Sequence, residues 1–146
     1  MKASWTVGPE GDHHMKRLLF AAGAALLIST AFAQAAGDLA NGEKVFRYCK
    51  ACHMVGENAK NRVGPELNGI VGRPIASVDS FKYSPAMEAF GKENKVWSAE
   101  LLATYLQHPR ETVKKTRMAF SGVKKPEDVQ DLIAYLSQFS ADGSKK

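Results

Sequence analysis

The chain has 146 residues, with 20 Lys and Arg against 15 Asp and Glu for a net charge of +5, and two cysteines. At 45% hydrophobic and 24% charged residues it has the make-up of one soluble globular domain, which excludes extensive disorder. Two cysteines exclude a disulfide-rich scaffold and a four-thiolate zinc site. The mild positive charge permits nucleic acid, membrane or acidic-protein partners without choosing among them.

The first segment reads as a leader. Lys16-Arg17 precedes an uncharged run from Leu18 to Gly37, apolar from Leu18 to Ile28 and closing in small residues. A basic start, an apolar middle and an A-x-A end describe a secretory signal peptide. Met15 stands directly before the basic pair. The expected organisation is therefore an upstream extension over 1–14, a signal peptide over 15–35 and one domain over 36–146, with cleavage after Ala33 or Ala35. The other reading is a retained membrane anchor, since the uncharged run is just long enough to span a bilayer. Its small, polar end favours the cleaved form. Either way the domain faces an oxidising compartment beyond the membrane.

What remains is about 110 residues, a length that buries only a modest core. Asp38 can cap a first helix through Leu39, Gly42, Val45, Phe46 and Cys49. From His53 to about Val96 the periodicity fails. Glycines and prolines punctuate this stretch, Pro85 and Gly91 among them, leaving room for short helices only. Ser98 opens a second clear helix, Leu101 to Leu106, which Pro109 stops. A short turn is expected near Glu111–Val113, then a loop from Lys114 to Lys125. Pro126 suits the first turn of a last helix, with Glu127 and Asp128 at the positive end of its dipole. Its apolar side carries Val129, Leu132, Ile133, Tyr135 and Leu136. There is no convincing strand. So long an irregular stretch in a small domain usually wraps something.

Cys49-Lys50-Ala51-Cys52-His53 is C-x-x-C-H, the attachment signature of c-type haem. Two thiols one helical turn apart can each form a thioether to one porphyrin, and the adjacent histidine then lies under the iron. A redox C-x-x-C pair would belong in a βαβ setting, which is absent. A zinc site would need two more ligands, and after residue 36 the chain offers only His53 and His108 as histidines.

With that motif on the page, residues 38–140 resemble the small class I cytochromes c, of the mitochondrial-like and bacterial cytochrome c2 type. The resemblance implies an all-α fold, with first and last helices crossed and loops closed over one haem c held by Cys49 and Cys52. Gly64-Pro65-Glu66-Leu67 is similar to the family's G-P-x-L, where the proline carbonyl accepts the proximal histidine's Nδ1–H; that assigns Pro65 to His53. Outside this context the segment would be an ordinary Gly-Pro turn. Thr116-Arg117-Met118-Ala119-Phe120 is similar to T-K-M-x-F, which makes Met118 the distal sulfur ligand. Met54 and Met87 are its rivals, and core filling is the ordinary use of a lone methionine. Trp97, Arg73, Tyr83 and Thr116 match positions that bond or neutralise a haem propionate. Tyr105 matches the tyrosine whose hydroxyl lies near the methionine sulfur, though a core aromatic fits its pattern equally. Gly42 and Phe46 match the positions that cross the last helix at Leu132 and Tyr135.

Three features depart from the family pattern. Lys114 and Lys115 stand where a Pro-Gly pair is common, so the loop loses a glycine. Met87 stands where many relatives carry an asparagine. The stretch from Ser84 to Val96 is slightly longer than the mitochondrial pattern.

Lys114, Lys115, Arg117, Lys124 and Lys125 bracket Met118 with no acid among them. By itself such a run is usually a solvated loop. Beside the ligand it suits docking to acidic redox proteins. The expected role is a soluble periplasmic one-electron carrier and not an enzyme, a monomer that binds no nucleic acid. Its donor would be a membrane quinol-oxidising complex; its acceptor would be a terminal oxidase, reaction centre or reductase. A membrane-tethered cytochrome or haem subunit is the alternative. An open-site haem peroxidase or gas-binding cytochrome would require that Met118 not ligate.

Overall fold

A computed structural model describes residues 37–146. The upstream extension and the signal peptide lie outside the described residues. Five helices follow in order: α1 (Leu39–Phe46), α2 (Pro85–Asn94), α3 (Ala99–Gln107), α4 (Pro109–Thr112) and α5 (Pro126–Ser137). Among the described residues β pairing is limited to two isolated bridges, Pro74 with Val96 and Phe139 with Lys145.

Asp38 caps α1, its carboxylate accepting from the backbone N–H of Ala40 at 2.8 Å and of Asn41 at 3.0 Å. The same end is tied to α5. Asn41 Nδ2 donates to Asp128 at 2.9 Å and to Asp131 at 2.7 Å, and the Asp38 N–H donates to Asp131 at 2.7 Å. One turn on, Gly42 meets the Asp131 carbonyl so closely that a Cβ there would overlap it. Only glycine lets the two backbones approach this far. Phe46 then lies on Tyr135, with ring centroids 5.5 Å apart, and Leu132 beneath them is 0% exposed. The crossing of first and last helices is as the family resemblance implies. After Phe46 the helix gives way to tighter turns that carry Cys49 to His53.

The ten-residue α2 is longer than the short helices expected in this stretch. Two residues read as breakers do other work. Pro85 occupies the first turn, where its missing N–H costs nothing, and the Ser84 hydroxyl accepts from the Met87 N–H at 3.2 Å. Gly91 lies against the Ile75 carbonyl, which a Cβ would approach to 2.8 Å. Ser98 caps α3 in the same way, accepting from Leu101 N–H at 3.1 Å. Pro109 ends α3 and begins the single turn α4. An aromatic row, Phe90–Trp97–Tyr105, links α2 to α3 at centroid spacings of 5.8 and 4.9 Å. Met87 of α2, with Trp97 and Tyr105 of this row, lines one wall of an internal cavity.

Candidate functional site

A cavity of about 490 Å³ opens among the turn after α1, the loops around Pro65 and Met118, and helices α3 and α5. Every residue expected from the sequence to contact a cofactor lines it: Cys49, Cys52, His53, Pro65, Arg73, Tyr83, Trp97, Tyr105, Thr116 and Met118. Leu67, Ile70, Leu102, Leu132 and Leu136 supply the apolar wall. Of the cations, Arg73, Lys82 and Arg117 line it, and no Asp or Glu does. Lys114, Lys115, Lys124 and Lys125 are exposed and lie off the lining.

On one side His53 is held by its neighbours. Its Nδ1–H donates to the Pro65 carbonyl at 2.7 Å, which leaves Nε2 as the lone-pair nitrogen. Gly64 packs against the imidazole so tightly that a Cβ would collide with the ring. Burial holds the His53 pKa below its ordinary value. The Pro65 carbonyl works against that, and the Arg73 charge works with it. The imidazole is therefore neutral, the form that ligates a metal. Cys49 and Cys52 are free thiols, and burial together with the Cys52 charge pushes Cys49 up to about 11. The Cys52 N–H donates to the Cys49 carbonyl at 3.0 Å, which keeps the pair on one turn.

On another side Met118 rises from the loop between α4 and α5. Tyr105 donates its hydroxyl to the Met118 sulfur at 3.7 Å, and the same oxygen lies 3.4 Å from Thr116 Oγ1. Burial raises the Tyr105 pKa, so it remains a donor. The Met118 N–H in turn donates to Thr116 Oγ1 at 3.3 Å. Met87 also lines the cavity, whereas Met54 lines a separate cleft with Phe46, Tyr135 and Phe139.

Lys115 adopts φ +64. The backbone therefore keeps the left-handed conformation that suits glycine, with a lysine in place of the glycine common in the family.

The proposed propionate partners are arranged unequally. The Tyr83 hydroxyl accepts from the Val78 N–H at 3.4 Å and its ring stands edge-on to Phe81. Arg73 is turned onto Glu66 at 2.7 Å. Sequence reasoning missed that pairing, because no pattern links two residues seven apart in irregular chain. It also missed Tyr48 and Val63, which line the cavity yet are 75% and 80% exposed.

This donor set fits a haem. A neutral imidazole and a thioether line one cavity with two free thiols a turn apart, and its volume lies in the usual range of roughly 300–1,000 Å³ for cofactor sites. The cationic, carboxylate-free lining suits a group that carries carboxylates of its own. The cytochrome c family matches residues 39–140. The chain is 53% identical over 108 residues to a cytochrome c2 of Afifella marina, covering 73% of this chain and 87% of that one. It is 43% identical over 132 residues to a cytochrome c2 of Blastochloris viridis, covering 90% and 100%. Among solved structures, the cytochrome c2 of Rhodospirillum centenum superposes with a TM-score of 0.67 at 36% identity, covering 71% of this chain and 99% of that one.

Proposed function

The chain belongs to the cytochrome c family, binding one covalent haem c through Cys49 and Cys52, and from that premise we propose that it is a periplasmic one-electron carrier with His53 and Met118 as axial ligands. The relatives named cytochrome c2 support this reading. What carries it is the single cavity that His53, Met118 and the cysteine pair share. The haem would supply one-electron chemistry, its iron alternating between ferric and ferrous.

The protein's own groups act around that change. Pro65 fixes the His53 ring and increases its basicity through the Nδ1 bond. Tyr105 orients the Met118 thioether, and a thioether favours the reduced iron and so raises the potential. His53 and Met118 would together hold the iron and leave no position for a substrate, which suits a carrier and not an enzyme. The exposed lysines of the Met118 loop suit brief docking to acidic faces of a quinol-oxidising donor complex and of an oxidase, reaction centre or reductase. Among the described residues no helix is long and apolar enough to cross a membrane.

Met118→Ala tests the reading. The expected result is a sharp fall in reduction potential, loss of the methionine–iron charge-transfer band of the oxidised protein, and binding of small ligands such as carbon monoxide by the reduced protein. An unchanged potential and band would remove Met118 from the ligand set; Met87→Ala is the parallel variant for its rival.

A further inference from the structure

Arg73 and Glu66 form the only Lys or Arg ion pair among the described residues, at 2.7 Å, with side chains 14% and 21% exposed. The pair is firmly built. Arg73 Nη1 also donates to the Asn68 carbonyl at 2.8 Å, and Nη2 to the Glu66 carbonyl at 2.9 Å. The second oxygen of the Glu66 carboxylate accepts from the Asn68 N–H at 2.6 Å. The Glu66 N–H is itself held by Asn61 Oδ1 at 3.0 Å. Arg73 lines the cavity, while Glu66 stands behind it and does not. Tyr83, on the lining, feels both charges with opposite sign.

A guanidinium so placed would ordinarily present a full positive charge to the cavity. Here a carboxylate within hydrogen-bond distance compensates it. Reduction of a haem held here by an electron from a donor protein would make the site one unit less positive. A nearby uncompensated cation favours that reduction and a compensated one favours it less. We propose that Glu66 tunes the reduction potential downward by binding the Arg73 guanidinium that would otherwise face the haem carboxylates. Glu66 is thus a positioning residue that acts through Arg73. The proposal rests on the carrier reading and deepens it.

The test uses the haem-loaded protein and measures midpoint potential by voltammetry together with the methionine–iron charge-transfer band. Glu66→Gln keeps an acceptor for Asn68 and removes the charge. Its potential is expected to rise, with the band intact. Glu66→Asp keeps the charge and should shift by less than half as much. The double variant Glu66→Gln with Arg73→Gln restores the neutral corner and should return toward the wild-type value. An unchanged or lower potential in Glu66→Gln overturns the proposal, as does an equal rise in Glu66→Asp, which would assign the effect to packing. Absence of the band in the wild-type protein would overturn the carrier reading instead, and this proposal with it.

Discussion

Gly42→Ala sets local propensity against packing, and the two predict opposite signs. Alanine is the better helix residue by about 1 kcal/mol, so α1 alone would gain. At the crossing, however, the new Cβ would overlap the Asp131 carbonyl and approach the Tyr135 Cβ to 2.7 Å. The obstacle is backbone on a core helix, which cannot step aside as a flexible side chain would. Overpacking of this kind costs about 1–3 kcal/mol. Opening the crossing also weakens the bonds from Asn41 to the Asp128 and Asp131 carboxylates. Hydrogen bonds to charged groups are worth about 1.5–3 kcal/mol each. The packing side exceeds the propensity gain, and the expected net is a loss of about 2 kcal/mol or more. At roughly 4–8 °C per kcal/mol, that is a fall in Tm on the order of 10 °C. Guanidinium and thermal unfolding of the haem-loaded protein, followed by far-UV circular dichroism, measure it. Ala40→Gly, at an exposed site of the same helix, calibrates propensity alone and should cost about 1 kcal/mol. A Gly42→Ala protein as stable as wild type would refute the close-approach argument.

Lys115→Gly should be more stable than Lys115→Ala by about 1 kcal/mol, because φ +64 strains any residue with a Cβ; the reverse order in denaturant unfolding would contradict the left-handed backbone there. Tyr135 has its pKa raised, by burial first and by the Glu43 charge second. Below about pH 10 both folded and unfolded chains keep its proton. Above that the unfolded chain loses it first, so this contribution to stability is lost as pH rises through the folded value. Tyr135→Phe should flatten that part of the alkaline stability curve, and equal slopes for the two proteins would discount it. Lys114→Glu with Lys115→Glu should slow electron transfer with an acidic partner by about tenfold or more at low ionic strength and weaken its salt dependence. Equal rates in stopped-flow measurements at low salt would remove these lysines from the docking face.

Helices α1 and α5 were legible because each carries a periodic apolar face and a starting signal, Asp38 in one and Pro126 in the other, whereas their crossing came from the resemblance to the family. Helix α2 was obscured because Pro85 and Gly91 mark breaks in a sequence read locally. Pro85 in fact starts the helix, and Gly91 answers to the Ile75 carbonyl from a distant loop. The cysteines and His53 are contiguous, so their chemistry stands in the motif itself. Met118 is different. Nothing in a lone methionine marks it, and only resemblance to a family selected it over Met87, which lines the same cavity. The Arg73–Glu66 pair illustrates the limit most clearly. Both residues were in view, yet which acceptor the guanidinium takes is decided by how residues 66–73 turn, and no periodicity encodes that turn.

The two proposed ligands are tied into the fold in different ways. Around His53 the chain closes on itself: Gly64 N–H donates to the Cys52 carbonyl and Leu67 N–H to the Met54 carbonyl, each at 2.9 Å, so both flanks of the ring are tied to the segment carrying Pro65. The Met118 loop is pinned near its ends, where Thr116 N–H donates to the Val113 carbonyl at 3.0 Å and Val123 N–H to the Leu106 carbonyl at 2.9 Å. Between those ties the Met118 N–H reaches Thr116 Oγ1 at 3.3 Å and the sulfur has the long Tyr105 contact, while the strained Lys115 lies inside the first tie. The cationic surface belongs to the Met118 side, since Lys114, Lys115 and Arg117 flank Met118 in the chain. On the proposed docking role, a partner drawn to those charges would meet the loop that bears the sulfur. The imidazole and the Glu66–Arg73 pair belong to the closed side. For the proposed carrier, this division would place contact with partners on the Met118 loop and electrostatic tuning on the His53 side.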